Sequence, residues 1–235
     1  MAFPFVVFII PTIGRATLKK ALNSLLQQTD TDWAAFVVSD GVELKDSICI
    51  RDPRIFYNKV SKRGTFGSNH GNAGMVRNVA LEHKKLKGEW IGFLDDDDIL
   101  LPNYVSNLRQ EASKYSPDVV ITRMSINDQI IPMPGLRDFR KNDVGISFAV
   151  KSYIFKELGF KFKQMDSEDY ELLNDFRLHG LNIHMSDYVG YHVGSSTQEN
   201  FKITKTNHNS CNIYVLIICI VLLVLVVCLL FWRTH

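Results

Sequence analysis

Apolar runs alternate with segments of helical periodicity along most of the chain. Strands are predicted at "FVVFII", "WAAFVVSDG", "EWIGFL" and "DVVITRM". Helices are predicted at "NAGMVRNVALEHKKL", from Pro102 to Lys114 and at "SEDYELLNDFRLHG". A further helix is predicted from the apolar residues that would form one of its faces: Leu18, Ala21, Leu22, Leu25 and Leu26. Because apolar strands separated by helices form sheets covered on both faces, we expect an α/β fold with a mostly parallel sheet flanked by helices, with ligands at the carboxyl ends of its strands.

The pattern changes near the C-terminus. Residues 213–232, "IYVLIICIVLLVLVVCLLFW", carry no charge, and a helix of that length spans about 30 Å. A buried core helix is the alternative, but such helices are seldom apolar on every face. We therefore expect a globular domain over 1–194, a polar tether over 195–212, one C-terminal transmembrane helix over 213–232 and a short tail over 233–235.

The flanks of the apolar segment predict its orientation. Lys202 and Lys205 precede it and only Arg233 follows as a basic residue, which favours a cytosolic globular domain. The N-terminal "MAFPFVVFIIPTIGR" has no basic stretch before its apolar run and no small-residue cleavage site. The expectation is a single-pass membrane protein anchored by its C-terminal helix, as in tail-anchored proteins.

Charge and cysteine content exclude other classes. The 27 basic and 25 acidic side chains give a net charge of +2, so the chain has no broad basic surface and nucleic acid is not an expected partner. Of the four cysteines, only Cys49 lies in the globular part, and their spacing fits no metal site or disulfide framework.

Four consecutive aspartates, Asp95 to Asp98, follow the apolar run in "WIGFLDDDDILLPNYV". Carboxylates this close repel one another, which indicates that a cation neutralises them. A calcium-binding EF-hand loop would need glycine and glutamate where Leu100 and Ser106 stand, and is excluded. Two alternatives stay open: a solvated acidic turn, and a haloacid-dehalogenase-type phosphatase with Asp95 as nucleophile and Asp97 as acid.

Five motifs in order, "FIIPTIGR", "VVSDG", "GNAGMVRN", "FLDDDDILLPN" and "DSEDYELLNDFRLHG", resemble the family-2 type glycosyltransferases of the GT-A fold over about Phe5 to Gly194. The resemblance implies metal-dependent, inverting transfer of a sugar from a nucleotide-diphosphate donor, expected to be a UDP-sugar. The acceptor would be a hydroxyl on a glycan, glycolipid or glycoprotein, and Mn²⁺ or Mg²⁺ would bridge the donor phosphates.

The resemblance also assigns roles to residues. Asp97 would contact the metal most directly, with Asp95 and His192 as further ligands, while Asp95 and Asp96 would hold the donor ribose and sugar. Asp98 would orient its neighbours or cap the following turn. In the Glu-Asp pair, Asp169 would be the general base beside Glu168, with Ser167 as helix cap. Further donor-binding residues would be Pro11, Thr12, Arg15, Asp40 and Arg77.

The chain departs from processive members of that family. Few residues separate Asp169 from the tether, and no Q-x-x-R-W motif follows it. Transfer of a single sugar is therefore expected, rather than polymer synthesis through a membrane channel. A catalytically inactive, membrane-tethered module that binds sugar nucleotides is the remaining alternative from another class.

Overall fold

A single mixed sheet organises the domain. The computed structural model describes residues 3–63 and 72–194, so the predicted tether, transmembrane helix and tail lie outside the described residues. Among the described residues, the strands are β1 Val6–Thr12, β2 Trp33–Asp40, β3 Ile55–Val60, β4 Trp90–Phe93, β5 Ile99–Leu100, β6 Val119–Ile126, β7 Gln129–Ile131, β8 Phe148–Lys151 and β9 Ile183–His192.

Helices connect and cover these strands. Within the same ranges they are α1 Leu18–Leu26, α2 Asn72–Leu81, α3 Tyr104–Tyr115, α4 Ser152–Lys156 and α5 Glu168–Leu178. None of the helices in the described part of the chain has both the length and the apolar character needed to cross a bilayer.

The sheet has a parallel half and a mixed half. Its strand order is β3-β2-β1-β4-β8-β6-β9-β5, with β7 paired to β6. The first four strands are mutually parallel. Beyond them, β8 runs antiparallel to both β4 and β6, β9 is parallel to β6, and β5 and β7 are antiparallel to their partners. The α/β class is as predicted, but the mostly parallel sheet is corrected to a mixed one.

Three of the four strands in the parallel half follow directly from the sequence, whereas β3, which has mostly exposed or half-buried residues, was not predicted. All residues of β1, β2 and β4 are buried, so both faces of these strands are covered. Pro11 fits within β1 because the pairing with β4 ends at Ile9, where Phe93 is its partner. The missing N–H of Pro11 therefore leaves no gap on that side of the ladder.

Helix boundaries differ from the predicted ones at several points. Leu26 is 38% exposed, unlike the other four residues of the predicted α1 face, because it is the last residue of the helix. Helix α2 ends at Leu81, five residues short of the predicted end, where the chain turns into the lysine-rich segment. Pro102 precedes α3 rather than lying in its first turn, and Asn103 is the N-cap.

Ser167 occupies the predicted N-cap position of α5. Its backbone is left-handed, with φ of 62° and ψ of 40°, and its side chain makes no capping hydrogen bond. The acidic residues Glu168, Asp169 and Glu171 fill the first turn instead, where they complement the positive end of the helix dipole. The helix start is therefore as predicted, but the capping role of Ser167 is not.

Candidate active site

The aspartate tetrad lies in the turn between β4 and β5, at the carboxyl end of the parallel half. The N–H of Asp98 donates to the carbonyl of Asp95 at 3.1 Å, which closes a tight turn. Exposure alternates along this turn: Asp96 and Asp98 are buried, Asp95 is partly buried and Asp97 is exposed. The turn therefore divides the four carboxylates into two that are held within the protein and two that solvent or a ligand can reach.

Asp96 is held by the loop that follows β1. Thr12 Oγ1 donates to Asp96 Oδ2 at 2.5 Å, and Arg15 Nη1 donates to Asp96 Oδ1 at 3.1 Å. Burial raises the pKa of Asp96, while the hydrogen bond from Thr12 and the charge of Arg15 oppose the rise. Gly14, with φ of 83°, allows the chain to turn so that its N–H donates to Thr12 Oγ1 at 3.0 Å.

Arg15 also reaches the most accessible aspartate. Its Nη1 lies 2.7 Å from Asp97 Oδ2, and both side chains are about half exposed, at 48% and 45%. An exposed ion pair of this kind contributes little to stability, so either partner can be released at small cost. The pair places one positive side chain beside the carboxylate that is the predicted metal ligand.

Arg77 joins the tetrad to the predicted general-base helix. The guanidinium lies on α2 and its side chain is 2% exposed; Nη2 donates to Asp95 Oδ1, and Nη1 donates to Glu168 Oε1 at 3.1 Å. Burial would lower the pKa of Arg77, but the charges of Asp95 and Glu168 raise it overall. A buried, permanently charged arginine thus connects the end of β4 to the start of α5.

Asp169, the predicted base, is partly buried beside Glu168. Its Oδ1 accepts from the N–H of Tyr170 at 3.0 Å. Burial raises the pKa of Asp169, and the neighbouring negative charge of Glu168 raises it further. A carboxylate with a raised pKa is a stronger base than an ordinary aspartate, which suits proton abstraction from a hydroxyl.

Asp98 connects the tetrad to the end of β9. Its Oδ2 accepts from the Tyr191 hydroxyl at 2.7 Å, and its Oδ1 accepts from the N–H of Gly194 at 2.8 Å. The same hydroxyl accepts from the N–H of Asp95 at 3.1 Å. Burial and the charge of Asp95 raise the pKa of Asp98 to about 7. The geometry agrees with the prediction that Asp98 orients its neighbours.

Tyr191 was not predicted, and its place next to His192 in "YHVG" was the only available signal.

His192 and Asp40 lie at the ends of two strands, at the same edge of the sheet as the tetrad. His192 pairs with Ile99, the residue after the tetrad, and its Nδ1 lies 2.8 Å from Ser125 Oγ. Asp40 ends β2, one residue past the partner of Thr12, and its Oδ1 accepts from the N–H of Arg63 at 2.5 Å. Both positions therefore lie at the carboxyl edge where the prediction places them.

The donor set of the tetrad fits a hard divalent cation. Asp95 and Asp97 offer carboxylate oxygens, with side chains 34% and 45% exposed, and oxygen ligands are those that Mg²⁺ and Mn²⁺ prefer. Within residues 3–63 and 72–194, no three His, Cys, Asp or Glu side chains converge as a complete metal-binding group. The phosphates of a bound nucleotide would supply the remaining oxygens in the proposed arrangement.

Comparisons with known proteins identify relatives of this chain. An uncharacterized glycosyltransferase of Mycoplasma genitalium is 31% identical over 116 residues, which are 48% of this chain and 39% of the relative. Glycosyltransferase GlyG of Streptococcus pneumoniae is 28% identical over 109 residues, which are 44% of this chain and 33% of the relative. The chain thus spans less than half the length of the relatives it matches.

Solved structures share the fold. S. aureus TarS in complex with UDP-GlcNAc superposes with a TM-score of 0.60 at 20% identity, covering 83% of this chain and 59% of that one. Mannosyltransferase PcManGT from Pyrobaculum calidifontis, in complex with GDP-Man and Mn²⁺, gives a TM-score of 0.55 at 16% identity, covering 81% and 57%. Finally, the family model described as glycosyl transferase family 2 matches residues 7–177. The chain therefore belongs to glycosyltransferase family 2.

Proposed function

We propose that this glycosyltransferase moves one sugar from a nucleotide-diphosphate sugar to an acceptor hydroxyl, with Mn²⁺ or Mg²⁺ and inversion at the anomeric carbon. The carrying observation is the Arg77 bridge, which links the accessible end of the tetrad through Asp95 to the helix of Asp169 through Glu168. The residues proposed for donor binding and for proton abstraction therefore belong to one connected site.

Each group has a distinct task in this proposal. Asp97 and Asp95 would hold the cation, with His192 as a candidate third ligand. The cation would neutralise charge that develops on the diphosphate leaving group. The donor site would be lined by Thr12, Arg15 and their partner Asp96. Asp40 would contact the nucleobase of the donor.

The reaction balances without any further reagent. The acceptor oxygen forms a bond to the anomeric carbon as the bond from that carbon to the phosphate oxygen breaks. Asp169 takes the hydroxyl proton, and the nucleoside diphosphate leaves with the electron pair. Because the base and the leaving group would lie on opposite faces of the sugar, attack is in line and the configuration inverts.

The identity of the nucleotide in the donor is a separate part of the proposal. TarS binds UDP-GlcNAc and PcManGT binds GDP-Man with Mn²⁺, and each shares only the fold with this chain. We propose a UDP-sugar, because the resemblance places Asp40 where family members contact the nucleobase of the donor, which is often uracil. The acceptor is proposed to be a glycan, glycolipid or glycoprotein hydroxyl.

A donor panel tests the proposal. The protein is incubated with UDP-glucose, UDP-galactose, UDP-GlcNAc or GDP-mannose and Mn²⁺ or Mg²⁺, with water as the acceptor that takes the sugar, and release of nucleoside diphosphate is measured. Metal-dependent release from one donor, abolished by EDTA, supports the transferase. Binding of UDP or GDP without release from any donor would indicate the inactive binding module. Phosphate release from p-nitrophenyl phosphate alone would favour the phosphatase, which family membership already disfavours.

Membrane attachment is a separate proposal. It rests on the uncharged apolar sequence of residues 213–232, which lie outside the described residues. We propose that this segment anchors the domain with its site facing the cytosol. Protease added to sealed microsomes should then digest the domain. Protection of the domain until detergent is added would place it in the lumen.

A further inference from the structure

Arg123, a buried arginine, holds the loop that joins β7 to β8. Arg123 lies on β6 and its side chain is 1% exposed. The guanidinium donates to three main-chain carbonyls, those of Pro132 at 2.7 Å, Met133 at 2.7 Å and Leu136 at 3.0 Å. The loop that begins there, residues 132–147 between β7 and β8, is called the clasp loop below. One guanidinium can satisfy several carbonyls because its donors form a rigid planar fork.

The middle of the clasp loop packs on α5. The Phe139 ring is 4% exposed and meets the Tyr170 ring edge-on, with centroids 6.2 Å apart. Arg177 Nη1 donates to Asp138 Oδ1 at 3.2 Å, and the same guanidinium lies 4.8 Å from the Phe139 ring centroid. Tyr170 directly follows Asp169, so this packing acts on the helical turn that carries the proposed base.

The returning end of the clasp loop lies against the Asp169 carboxylate. A Cβ built on Gly145 would lie 3.5 Å from Asp169 Oδ2 and 2.7 Å from Met124 Cε. A side chain at this position would be in contact with the Asp169 carboxylate and would require the end of the Met124 side chain to move. Met124 follows Arg123 on β6, so the two ends of the loop are held by neighbouring residues of one strand.

We propose that Arg123 is a positioning residue for Asp169: it holds the clasp loop against α5, so that the backbone at Gly145 covers one side of the Asp169 carboxylate. This inference rests on the proposed role of Asp169 as base. It extends that role by assigning a further residue, about 45 positions earlier in the chain, to keep water away from the carboxylate and to border the path of the acceptor hydroxyl.

The electrostatic surroundings of Asp169 are consistent with this role. Glu168 on α5 raises the pKa of Asp169 and Arg77 on α2 lowers it, while burial contributes the largest upward effect. The hydrogen bond from the N–H of Tyr170 also lowers the pKa of Asp169, and the backbone at Gly145 adds no charge on its side. Loss of the loop would admit water, and the pKa of Asp169 would move down toward that of an ordinary aspartate.

Two substitutions separate the three carbonyl contacts from the ion pair. Arg123→Lys keeps the positive charge, but one ammonium group cannot reach three carbonyls and Asp187 in the same geometry. Asp187→Asn is the matched control, because it removes the ion pairs of Asp187 with Arg123, at 3.2 Å, and with the exposed Arg137 of the clasp loop, at 2.8 Å, but leaves the carbonyl contacts in place. An exposed ion pair such as the one with Arg137 contributes little to stability. Both variants are made in the full chain.

Hydrogen exchange tests the coupling without relying on any activity. Arg123→Lys should speed amide exchange in residues 133–146 and in residues 168–171 by about tenfold or more, with β1 and β2 unchanged. Asp187→Asn should leave both segments close to the unsubstituted protein. Faster exchange in the clasp loop with no change at 168–171, or no change in either segment, would overturn the proposal.

The pH profile supplies a readout that general destabilisation would not produce. With UDP-glucose and Mn²⁺ as probe, or whichever panel donor turns over, Arg123→Lys should lower kcat by about tenfold or more, leave the donor KM within about twofold and move the acidic limb to lower pH. An unmoved limb with normal kcat would contradict the positioning role. If no donor turns over, the proposed function fails, and hydrogen exchange still decides whether the loop and helix are coupled.

A second variant covers the case in which Arg123→Lys does not fold. Phe139→Ala loosens the same loop from Tyr170 without leaving a buried polar group unpaired. Circular dichroism establishes that it is folded, and it should reproduce the faster exchange at 168–171. Protection of residues 168–171 in a folded Phe139→Ala protein would overturn the proposal.

Discussion

The two halves of the sheet hold their functional groups in different ways. In the parallel half, Thr12 ends β1 and the aspartate tetrad follows β4, so the strand order alone brings them to one edge. In the mixed half, Asp169 lies on α5, which packs against the loop before β8 through Tyr170 and Phe139. We infer that the parallel half supplies most of the proposed donor site, whereas the proposed base is held by contacts from the mixed half.

Two buried residues connect the halves. Arg77 joins Asp95 to Glu168, and Tyr191 from β9 joins the backbone of Asp95 to the carboxylate of Asp98. Donor binding and proton abstraction are therefore separable by mutation at the accessible aspartates but not at these connecting residues. The predictions below test that separation.

The largest effect is expected for Asp97→Ala. It removes the most exposed tetrad carboxylate, and no neighbour offers an oxygen in the same place, so metal-dependent nucleotide release should fall by more than about 10²-fold. The assay is release of nucleoside diphosphate at saturating Mn²⁺. Asp128→Asn is the control, because that exposed aspartate lies in the β6–β7 hairpin with φ of 65°, which asparagine tolerates. Equal losses in both variants would show that metal-dependent turnover does not specifically require the tetrad.

Asp169→Asn should be nearly as severe for turnover. It preserves size and hydrogen-bonding capacity but removes basicity, so kcat should fall by about 10²- to 10⁴-fold while the donor KM changes little. Steady-state kinetics on the responding donor measure both constants. A large rise in KM with unchanged kcat would show that Asp169 serves binding instead.

The pH dependence of turnover tests the same residue in the unsubstituted protein. Burial and Glu168 raise the pKa of Asp169, so the group takes up its proton, and the base is lost, at a higher pH than for an ordinary aspartate. The acidic limb of kcat should accordingly lie above the usual aspartate value. Glu168→Gln removes one cause of the rise, so it should move the limb to lower pH. A limb at the ordinary value would contradict the environment described.

Arg77→Met should damage both halves at once. It leaves Asp95 and Glu168 without their shared buried cation, and we expect a loss of about 3 kcal/mol in the free energy of unfolding. That value is at the low end for a broken buried pair because both carboxylates retain some solvent contact. Denaturant unfolding measures the loss. Arg109→Met, which breaks a more exposed pair with Asp30, is the control and should cost clearly less.

The smallest effect is expected for Tyr191→Phe. The substitution removes the hydroxyl that donates to Asp98 and accepts from the N–H of Asp95, while Gly194 still donates to Asp98. A cost of about 1–2 kcal/mol is expected, since two buried polar groups lose one partner. Thermal unfolding detects it. Unchanged stability would mean that water replaces the hydroxyl.

The sequence predicted the parallel half better than the mixed half for a physical reason. Strands such as "VVFIIPT" and "WAAFVVSD" are buried on both faces and form continuous apolar runs. By contrast, β5 has only two residues and β9 mixes polar with apolar positions, so neither produces a clear periodic signal. The short antiparallel strands depend on tertiary contacts, which explains why the sheet was expected to be mostly parallel.

The site divides in the same way. The resemblance, which rests on the order of the motifs, implied that one site contains the tetrad, Thr12, Arg15, Arg77 and the Glu-Asp pair. The fold brings these residues to one region of the domain. The alternation of exposure within the tetrad could not be read from four identical residues. Tyr191 contacts Asp98 across 93 residues of sequence, so no local pattern indicated that contact. The carbonyls that Arg123 contacts are only 9 to 13 residues away, but they lie on a loop without periodicity, so the sequence did not indicate them either.

Nucleotide binding by two single variants tests the division of labour most directly. Titration calorimetry with UDP, or GDP if that donor class responds, in the presence of Mn²⁺ compares Asp97→Ala and Asp169→Asn with the unsubstituted protein. We predict that Asp97→Ala weakens nucleotide binding by about tenfold or more, whereas Asp169→Asn binds within about twofold of the unsubstituted protein. Binding by Asp97→Ala as tight as that of the unsubstituted protein, or equal weakening in both variants, would contradict a donor site whose metal-binding carboxylates come from the parallel half.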